Sequence, residues 1–524
     1  MKRFSFLMAA LLVAMTGCQK EPQVTENGSQ SDVQTVGYVS LKISLPSTVG
    51  TKAVTEEFDE GSKNEYNVKD ATVIFYDKDG KYVYHKSVDA KPWKENNNNQ
   101  INVTGKTEAI KIESNANIVK KALVLINSAN FFTDDDFKKN FNALAKASVV
   151  DKPYALRGLN SDEFFMSNAP FYTADGKFEN LVDVTVANDA EAALANPATI
   201  KVERAAAKVR LTAVYGGNAD SWMLEGAETF EARLKGWNLS MTNYDFYVVR
   251  NGYDKSNITW FDAQGNPINA GLLGSRINFA VDPNYNEQYA TTPSNFKVIQ
   301  EDELMLENEA YIYCTENTSA IESMRENQTT TAIIKVYMVP TRLRGDNKSW
   351  FRVGLGKTVM TLDELAEMIE TKLDEGNMLQ HKYTTDELKA KLSEKAGKVE
   401  INELDSQRGI SLEELIGEVE CYKDGICYYS VKIRHFNDEE LGYDEVDTFL
   451  KSYAANSGYV AKDLGRYGVV RNNYYEITIS GVSAPGSPTL PTPDDVPNDE
   501  LEQYVSCSID VLAWSKRQQS VVLK

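Results

Sequence analysis

The 524-residue chain has little histidine: three residues, His85, His381 and His435, far apart in sequence. Histidine is the commonest general base and metal ligand near neutral pH, so both kinds of chemistry lose their usual carrier. Cysteine is scarce too, at five residues, and none stands near histidines at zinc-ligand spacing. The sequence has no nucleophile elbow, no phosphate-cradling glycine loop and no zincin motif. Asp and Glu are plentiful, yet nothing local singles out a catalytic pair. Basic residues are in deficit: 56 Lys and Arg against 76 Asp and Glu leave a net charge of −20, which opposes a nucleic-acid partner. No apolar run reaches the roughly 20 residues that a membrane-spanning helix needs. These absences point away from an enzyme and imply no cofactor and no metal. What the chain does have is tyrosine, 27 residues, a residue suited to sheet surfaces.

Residues 1–18 read as an address. Lys2 and Arg3 precede an apolar stretch, residues 4–15, that is too short to span a bilayer, and it ends in Met15-Thr16-Gly17-Cys18. This resembles a lipoprotein lipobox, in which the cysteine thiol receives a diacylglyceryl group and Cys18 becomes an acylated N-terminus. Gln19 follows, where an Asp would signal retention at the inner membrane, so the destination implied is the outer membrane. Several acyl chains at about 0.8 kcal/mol per buried CH₂ make a stable anchor. The polar residues 19–35 read as a tether.

The body reads as mainly β. Residues 38–45 (YVSLKISL) alternate strictly, with Val39, Leu41, Ile43 and Leu45 on one face, the period-two mark of a half-buried strand. Residues 71–76 and 81–85 around Asp77-Lys78-Asp79-Gly80 predict a hairpin. The turn resembles part of a calcium loop but lacks the third acid and the later Glu. Further strands are predicted at 122–126, 181–187, 199–214, 230–239, 244–250, 310–314, 332–339, 427–433 and 474–479. Helical spacing is found mainly over 361–417, where Leu362, Leu365, Met368, Ile369 and Leu373 recur every three or four residues. Thr385-Asp386-Glu387 and Ser411 to Glu414 read as N-caps, Asp134-Asp135-Asp136 as the cap of a short helix, and Arg344-Gly345-Asp346 as a turn. Cys421 and Cys427 flank a predicted hairpin turn. A three-residue loop would bring them face to face and a two-residue loop would not.

At the C-terminus, residues 485–497 carry a proline-rich, extended segment. Beyond it the chain alternates again, with Val505, Cys507, Ile509, Val511 and Ala513 on one face. Such a strand can close its own domain or pair into the open sheet edge of another chain.

Taken together, these segments resemble the Bacteroidales fimbrillins, subunits of type V pili, and most closely the shaft subunits of the short fimbriae of Porphyromonas and Bacteroides. The resemblance lies in Thr16-Gly17-Cys18, YVSLKISLPST at 38–48, Phe165-Met166-Ser167, VERAAAKVRL at 202–211 and LKGWNL at 234–239. It continues through YIYCTEN at 311–317, GICYYSVKIRH at 425–435, GRYGVVRNNYYEITI at 465–479 and SIDVLAW at 508–514. It implies two transthyretin-like β-sandwich domains, at 53–215 and 216–484, the second with a helical insertion about 361–417. A tether and removable first strand would occupy 19–52, and a linker and donor strand 485–524. It also implies that a trypsin-like protease cuts after Lys52, leaving Ala53 as the new N-terminus and removing the strand with Val39, Leu41, Ile43 and Leu45. The tail of a neighbouring copy, with Val505, Cys507, Ile509 and Val511, would then fill the vacated groove. The known relatives use Arg rather than Lys at the cut. The partners implied are other copies and other fimbrial subunits, the protease, and the membrane through the acyl chains; the surface ligands are unknown. The alternatives are a tip or accessory fimbrial subunit, or a surface lipoprotein that binds glycans.

Replacing Cys18 with Ala is expected to abolish both acyl labelling and outer-membrane association of the precursor. Labelling with a lipid precursor followed by membrane fractionation checks this, and normal labelling of the variant would rule out the lipobox.

Overall fold

The computed structural model describes residues 35–44, 65, 67–89, 104–129, 131–149, 164–216, 219–252, 279–285, 294–343, 349–378, 381–443, 446–499, 506–507, 510–513 and 516–523. It is mainly β and built from several sheets.

The N-terminal sheet runs in the order Tyr82–Val88, Ala71–Tyr76, Lys121–Ile126, Met166–Asn168, Ala198–Arg204, Leu41–Ser44 and Thr104–Lys106. Ala71–Tyr76 is buried at every position because it lies inside the sheet with both faces covered. The hairpin turn forms as predicted: the Asp77 carboxylate accepts the backbone N–H of Asp79 at 2.8 Å and of Lys81 at 2.9 Å. Gly80 takes the left-handed conformation that closes the turn (φ 75°). Asp134–Phe137 is a short helix behind the N-cap Thr133, whose capping box is completed by Asp136.

Residues 199–214 do not make one strand of one sheet. Ala198–Arg204 belongs to the N-terminal sheet, whereas Ala206–Ala213 lies in a second sheet between Tyr311–Thr315 and Asn473–Val482. The change falls at Ala205, ahead of residue 215, where the first domain was expected to end. Consequently one apolar core runs through both sheets, from Val39, Leu41 and Ile43 to Val209, Leu211, Ile477 and Ile479.

The helical insertion is an α/β unit of its own. Leu362–Glu375, Thr385–Leu392 and Leu412–Ile416 pack on a four-stranded sheet ordered Thr358–Met360, Trp350–Val353, Val419–Tyr422 and Gly397–Lys398. The predicted stripe faces this sheet, with Leu365, Ile369 and Leu373 buried. The cap of Thr385–Leu392 is Thr384, one residue before the predicted one, while Ser411 caps Leu412–Ile416 as expected. A further helix, Val446–Asn456, was not foreseen.

The strands flanking Cys421 and Cys427 are not a hairpin. Val419–Tyr422 pairs with Trp350–Val353, while Ile426–Lys432 pairs with Thr331–Pro340 in another sheet. The chain changes sheet through a tight turn at Lys423–Gly425. There Asp424 and Gly425 both take positive φ, and a Cβ on Gly425 would lie 2.7 Å from Val339 Cγ1. The two thiols are therefore buried in separate cores, free of disulfide, and burial pushes Cys421 up to about 11 and Cys427 to about 12.

Because Leu41 is fully buried in the shared core, Leu41→Ala is expected to lower unfolding stability by about 2–5 kcal/mol. Denaturant titration of the two chains measures it.

Candidate functional site

Of the predicted site residues, Cys18, Leu45, Lys52, Ala53, Val505 and Ile509 lie outside the described residues. The rest of the removable strand is described. Val39, Leu41 and Ile43 are at most 1% exposed. Burial of three such side chains contributes roughly 5–9 kcal/mol. Leu41–Ser44 sits between Ala198–Arg204, to which it is parallel, and Thr104–Lys106, to which it is antiparallel. Gly37–Val39 pairs separately with Ile110–Ile112. Side chains add to the hold: the Leu41 N–H donates to Thr107 Oγ1 at 2.9 Å, and Ser40 Oγ donates to the Thr107 carbonyl at 3.2 Å. Thr104–Lys106 pairs with no other strand among the described residues, so its place in the sheet depends on Leu41–Ser44.

Glu65 lies downstream of the expected cut. Its buried carboxylate receives Lys208 Nζ at 3.0 Å and the Tyr313 hydroxyl at 2.5 Å, and its carbonyl accepts from Arg204 Nε at 2.9 Å. Arg204 is the last residue of Ala198–Arg204 in the N-terminal sheet, whereas Lys208 and Tyr313 belong to the second, so Glu65 ties the two sheets together.

At the other end of the chain, Lys516–Leu523 runs parallel to Asn473–Val482 as the next strand of the second sheet, and Ser506–Cys507 pairs with it in turn. Asp510–Ala513, which includes Val511, touches Asn473 through Ala513. In the single chain, then, the strand beside Asn473–Val482 is Lys516–Leu523 rather than the alternating 505–513 segment. Cys507 and Val511 fall in two separate short strands.

The proline-rich segment before this tail is a strap. Its start is held against Ile426–Lys432: Ser487 and Tyr428 exchange both backbone hydrogen bonds, at 2.8 and 2.9 Å. The Tyr422 and Tyr429 hydroxyls donate to the carbonyls of Gly486 (3.1 Å) and Ala484 (2.6 Å). Only glycine fits at 486, where a Cβ would come within 2.3 Å of the Tyr428 carbonyl oxygen. Leu490 packs with Ile299, Leu304, Ile333 and Tyr428. Farther on, the carbonyls of Asp494 and Val496 accept the N–H groups of Asn327 and Glu326, and Arg325 pairs with Asp495 at 3.1 Å. Asn498 donates its N–H to the Met324 carbonyl and its amide to Thr329 Oγ1, and its own carbonyl receives Lys432 Nζ at 2.9 Å.

The strap ends in a cluster of charges. Asp499 accepts Arg466 Nε at 2.9 Å, the Tyr467 hydroxyl at 2.7 Å and the Tyr459 hydroxyl at 3.1 Å, with Arg434 3.7 Å away. Its own N–H donates to Tyr459 Oη at 2.9 Å. Asp438 balances the second positive charge by pairing with both Arg466 and Arg434. The Arg466 guanidinium also lies 3.4 Å from the centroid of the Phe449 ring, on the unforeseen helix. Burial alone would raise the Asp499 carboxyl, but Arg466 and Arg434 outweigh it and hold the group below its ordinary value. None of these four charged residues was picked out from the sequence. The available signal was position: Arg434 and Arg466 both stand in the segments that carry the fimbrillin resemblance.

Comparison with known proteins agrees with this region. Residues 420–520 match the family described as "Major fimbrial subunit protein type IV, Fimbrillin, C-terminal". The match takes in the charge cluster around Asp499, the strap and most of the tail, and the C-terminal region is fimbrillin-like, as the sequence resemblance implied. No curated protein matches the chain. Among solved structures, it is similar to a candidate cell adhesion protein of Parabacteroides distasonis ATCC 8503, at 13% identity and TM-score 0.37, covering 92% of this chain and 100% of that one. It is also similar to the tip fimbrial protein Mfa3 of Porphyromonas gingivalis, at 12% identity and TM-score 0.33, covering 93% and 100%. A fimbrial assembly protein of P. distasonis gives 12% identity and TM-score 0.30, covering 58% and 86%.

The lowered Asp499 value sets a sign for acid sensitivity. A carboxylate depressed in the folded state stabilises it fully above the ordinary value of 3.8 and loses that contribution as pH falls through the folded value. The melting temperature of Asp499→Asn is therefore expected to fall below wild type at pH 7, with the gap narrowing as pH drops below 4. Equal gaps at pH 7 and pH 3 would mean that the charge of Asp499 is not what holds the strap.

Proposed function

We propose that this chain is a structural subunit of a fimbria. It is exported as an outer-membrane lipoprotein precursor through Cys18, matured after Lys52, and polymerised by strand exchange between copies to build an adhesive surface filament. The observation that carries this reading is the position of Leu41–Ser44, an N-terminal strand held between two others with Leu41 and Ile43 fully buried, upstream of a lysine in the expected cleavage loop. Loss of such a strand uncovers the partner edge of Ala198–Arg204 and an apolar groove, and an alternating strand from a neighbour supplies both backbone partners and apolar cover. Head-to-tail contacts of this kind need not close, so they give filaments. The fimbrillin match at 420–520 supports the same role, one of assembly rather than catalysis. Association with other fimbrial subunits and a place at the cell surface follow from it.

A second reading has one observation in its favour. Lys516–Leu523 lies along Asn473–Val482 of its own chain, as the tail of a non-polymerising surface lipoprotein or a terminal fimbrial subunit would.

Mild trypsin treatment of the purified precursor, run on an unboiled SDS gel, separates the two. A chain lacking residues 501–524 serves as the control, since it retains Asn498 and Asp499 and so leaves the strap intact. The polymerising reading expects a ladder from the full chain, its subunits beginning at Ala53, and a folded, cleaved monomer from the control. A ladder from the control, or its unfolding, would overturn the assignment of the tail as donor.

A further inference from the structure

We propose that the Asp499 cluster is a mechanical clamp that takes the pull on the tail and keeps it off the strap. The inference rests on the reading of the tail as the segment that leaves its own domain.

The covalent path explains why a clamp is needed. Counting back from the tail, the chain runs through residues 483–499 before it reaches the sheet strand Asn473–Val482. Tension on the tail therefore arrives first at Asp499. If nothing held there, it would act next on the Asn498 and Val496 contacts and peel the strap from its outer end, one bond at a time. Backbone bonds broken in sequence resist far less than the same bonds loaded together. The strap would come away as slack, and the tail of a loaded subunit would move away from its domain.

The cluster meets that load with chemistry unlike the rest of the strap. Asp499 is the only strap residue held by several charge-assisted and hydroxyl donors at once: Arg466, Tyr467, Tyr459 and, more distantly, Arg434. Such bonds are roughly twice as strong as neutral ones. The side chains are nearly dry, with Arg466 1% and Asp499 12% exposed, so water screens them little. The donors come from the loop after Ile426–Lys432 and from the segment that follows Val446–Asn456, two parts of the chain that the strap itself does not connect. Arg466 is in turn fixed by Asp438 and by stacking on Phe449. A pull on Asp499 thus passes into the body of the domain at several points. Asp495, whose pair with Arg325 is about one-third exposed on both sides, has no comparable setting.

Single-molecule pulling on the monomeric full chain, with handles at its two ends, tests this without polymerisation. In wild type, peeling of the tail strand is expected to be followed directly by unfolding of the domain. In Asp499→Ala an additional low-force step is expected in between. Its contour-length gain is at most about 6 nm, the extended length of the seventeen strap residues at about 3.5 Å each less the distance the folded strap already spans. Tyr467→Phe, which removes a single hydroxyl, serves as the milder variant and is expected to lower the force of strap release without unfolding the chain. A low-force step of that size already present in wild type, or its absence from both variants, would overturn the clamp. Failure of the gel ladder with normal pulling curves would instead fault the polymerising reading and leave the clamp standing.

Discussion

A strand edge without a partner leaves a row of N–H and C=O groups with nothing to bond, and this constraint organises the molecule. The segment from Ala198 to Ala213 supplies edges to two sheets in succession, changing over at Ala205. In the first sheet its outer partner is Leu41–Ser44, near the start of the chain. In the second its neighbour Asn473–Val482 is covered by Lys516–Leu523, at the end. The two edges communicate through one continuous stretch of backbone and one shared apolar core.

The junction itself is polar. Glu65 meets Lys208 and Tyr313, Glu203 meets Arg250 at 3.0 Å, and Glu316 meets Arg471 at 3.2 Å, all nearly inaccessible to water. Buried pairs of this kind add little net stability over a well-packed apolar core, but breaking one costs about 3–5 kcal/mol because the survivor stays charged and unpartnered. Their effect is therefore selective. Each pair ties a residue at the junction to one distant in sequence, Glu65 to Lys208, Glu203 to Arg250 and Glu316 to Arg471, so a local rearrangement that separates either partner is opposed.

How much of this could be read from the sequence depends on the range of the interaction responsible. Period-two alternation at 38–45, the Asp77 to Gly80 turn and the N-cap at Ser411 are local; the turn and the cap formed where the pattern put them, while the alternating segment divides at Ser40 into Gly37–Val39 and Leu41–Ser44 of two sheets. The sheet change at Ala205 went unread: the apolar phase shifts from Ile200 and Val202 to Val209, Leu211 and Ala213 across three consecutive alanines, but the local pattern does not say which strands each half will pair with. The turn between Cys421 and Cys427 misled for the same reason: a tight turn between two strands looks alike whether they pair with each other or with strands from elsewhere. Val446–Asn456 was hidden by its aromatic residues, which suit strands as well, while Phe449 and Tyr453 here join Phe436 and Tyr443 in one apolar cluster. The strap was the sharpest failure. Proline content reads as a free linker, since proline fixes φ and removes a donor, yet the carbonyls of that segment remain available. Other parts of the same chain donate to them from residues some 55 to 170 positions away.

That donor arrangement also bears on how the tail finds its register. Side chains in a strand alternate between faces, so an error of one residue turns the whole apolar row outward. Register is most often set by a short turn, but no short turn joins Asn473–Val482 to Lys516–Leu523; more than thirty residues intervene. A freely hanging connection of that length would permit many registers of similar energy. The strap removes most of that freedom by fixing residues 484–499 to the domain, with Asp499 as the last fixed point. Whichever edge the tail covers, its own or a neighbour's, its residues are counted from Asp499, and the connection left to choose a register before Lys516 shortens from thirty-three residues to sixteen.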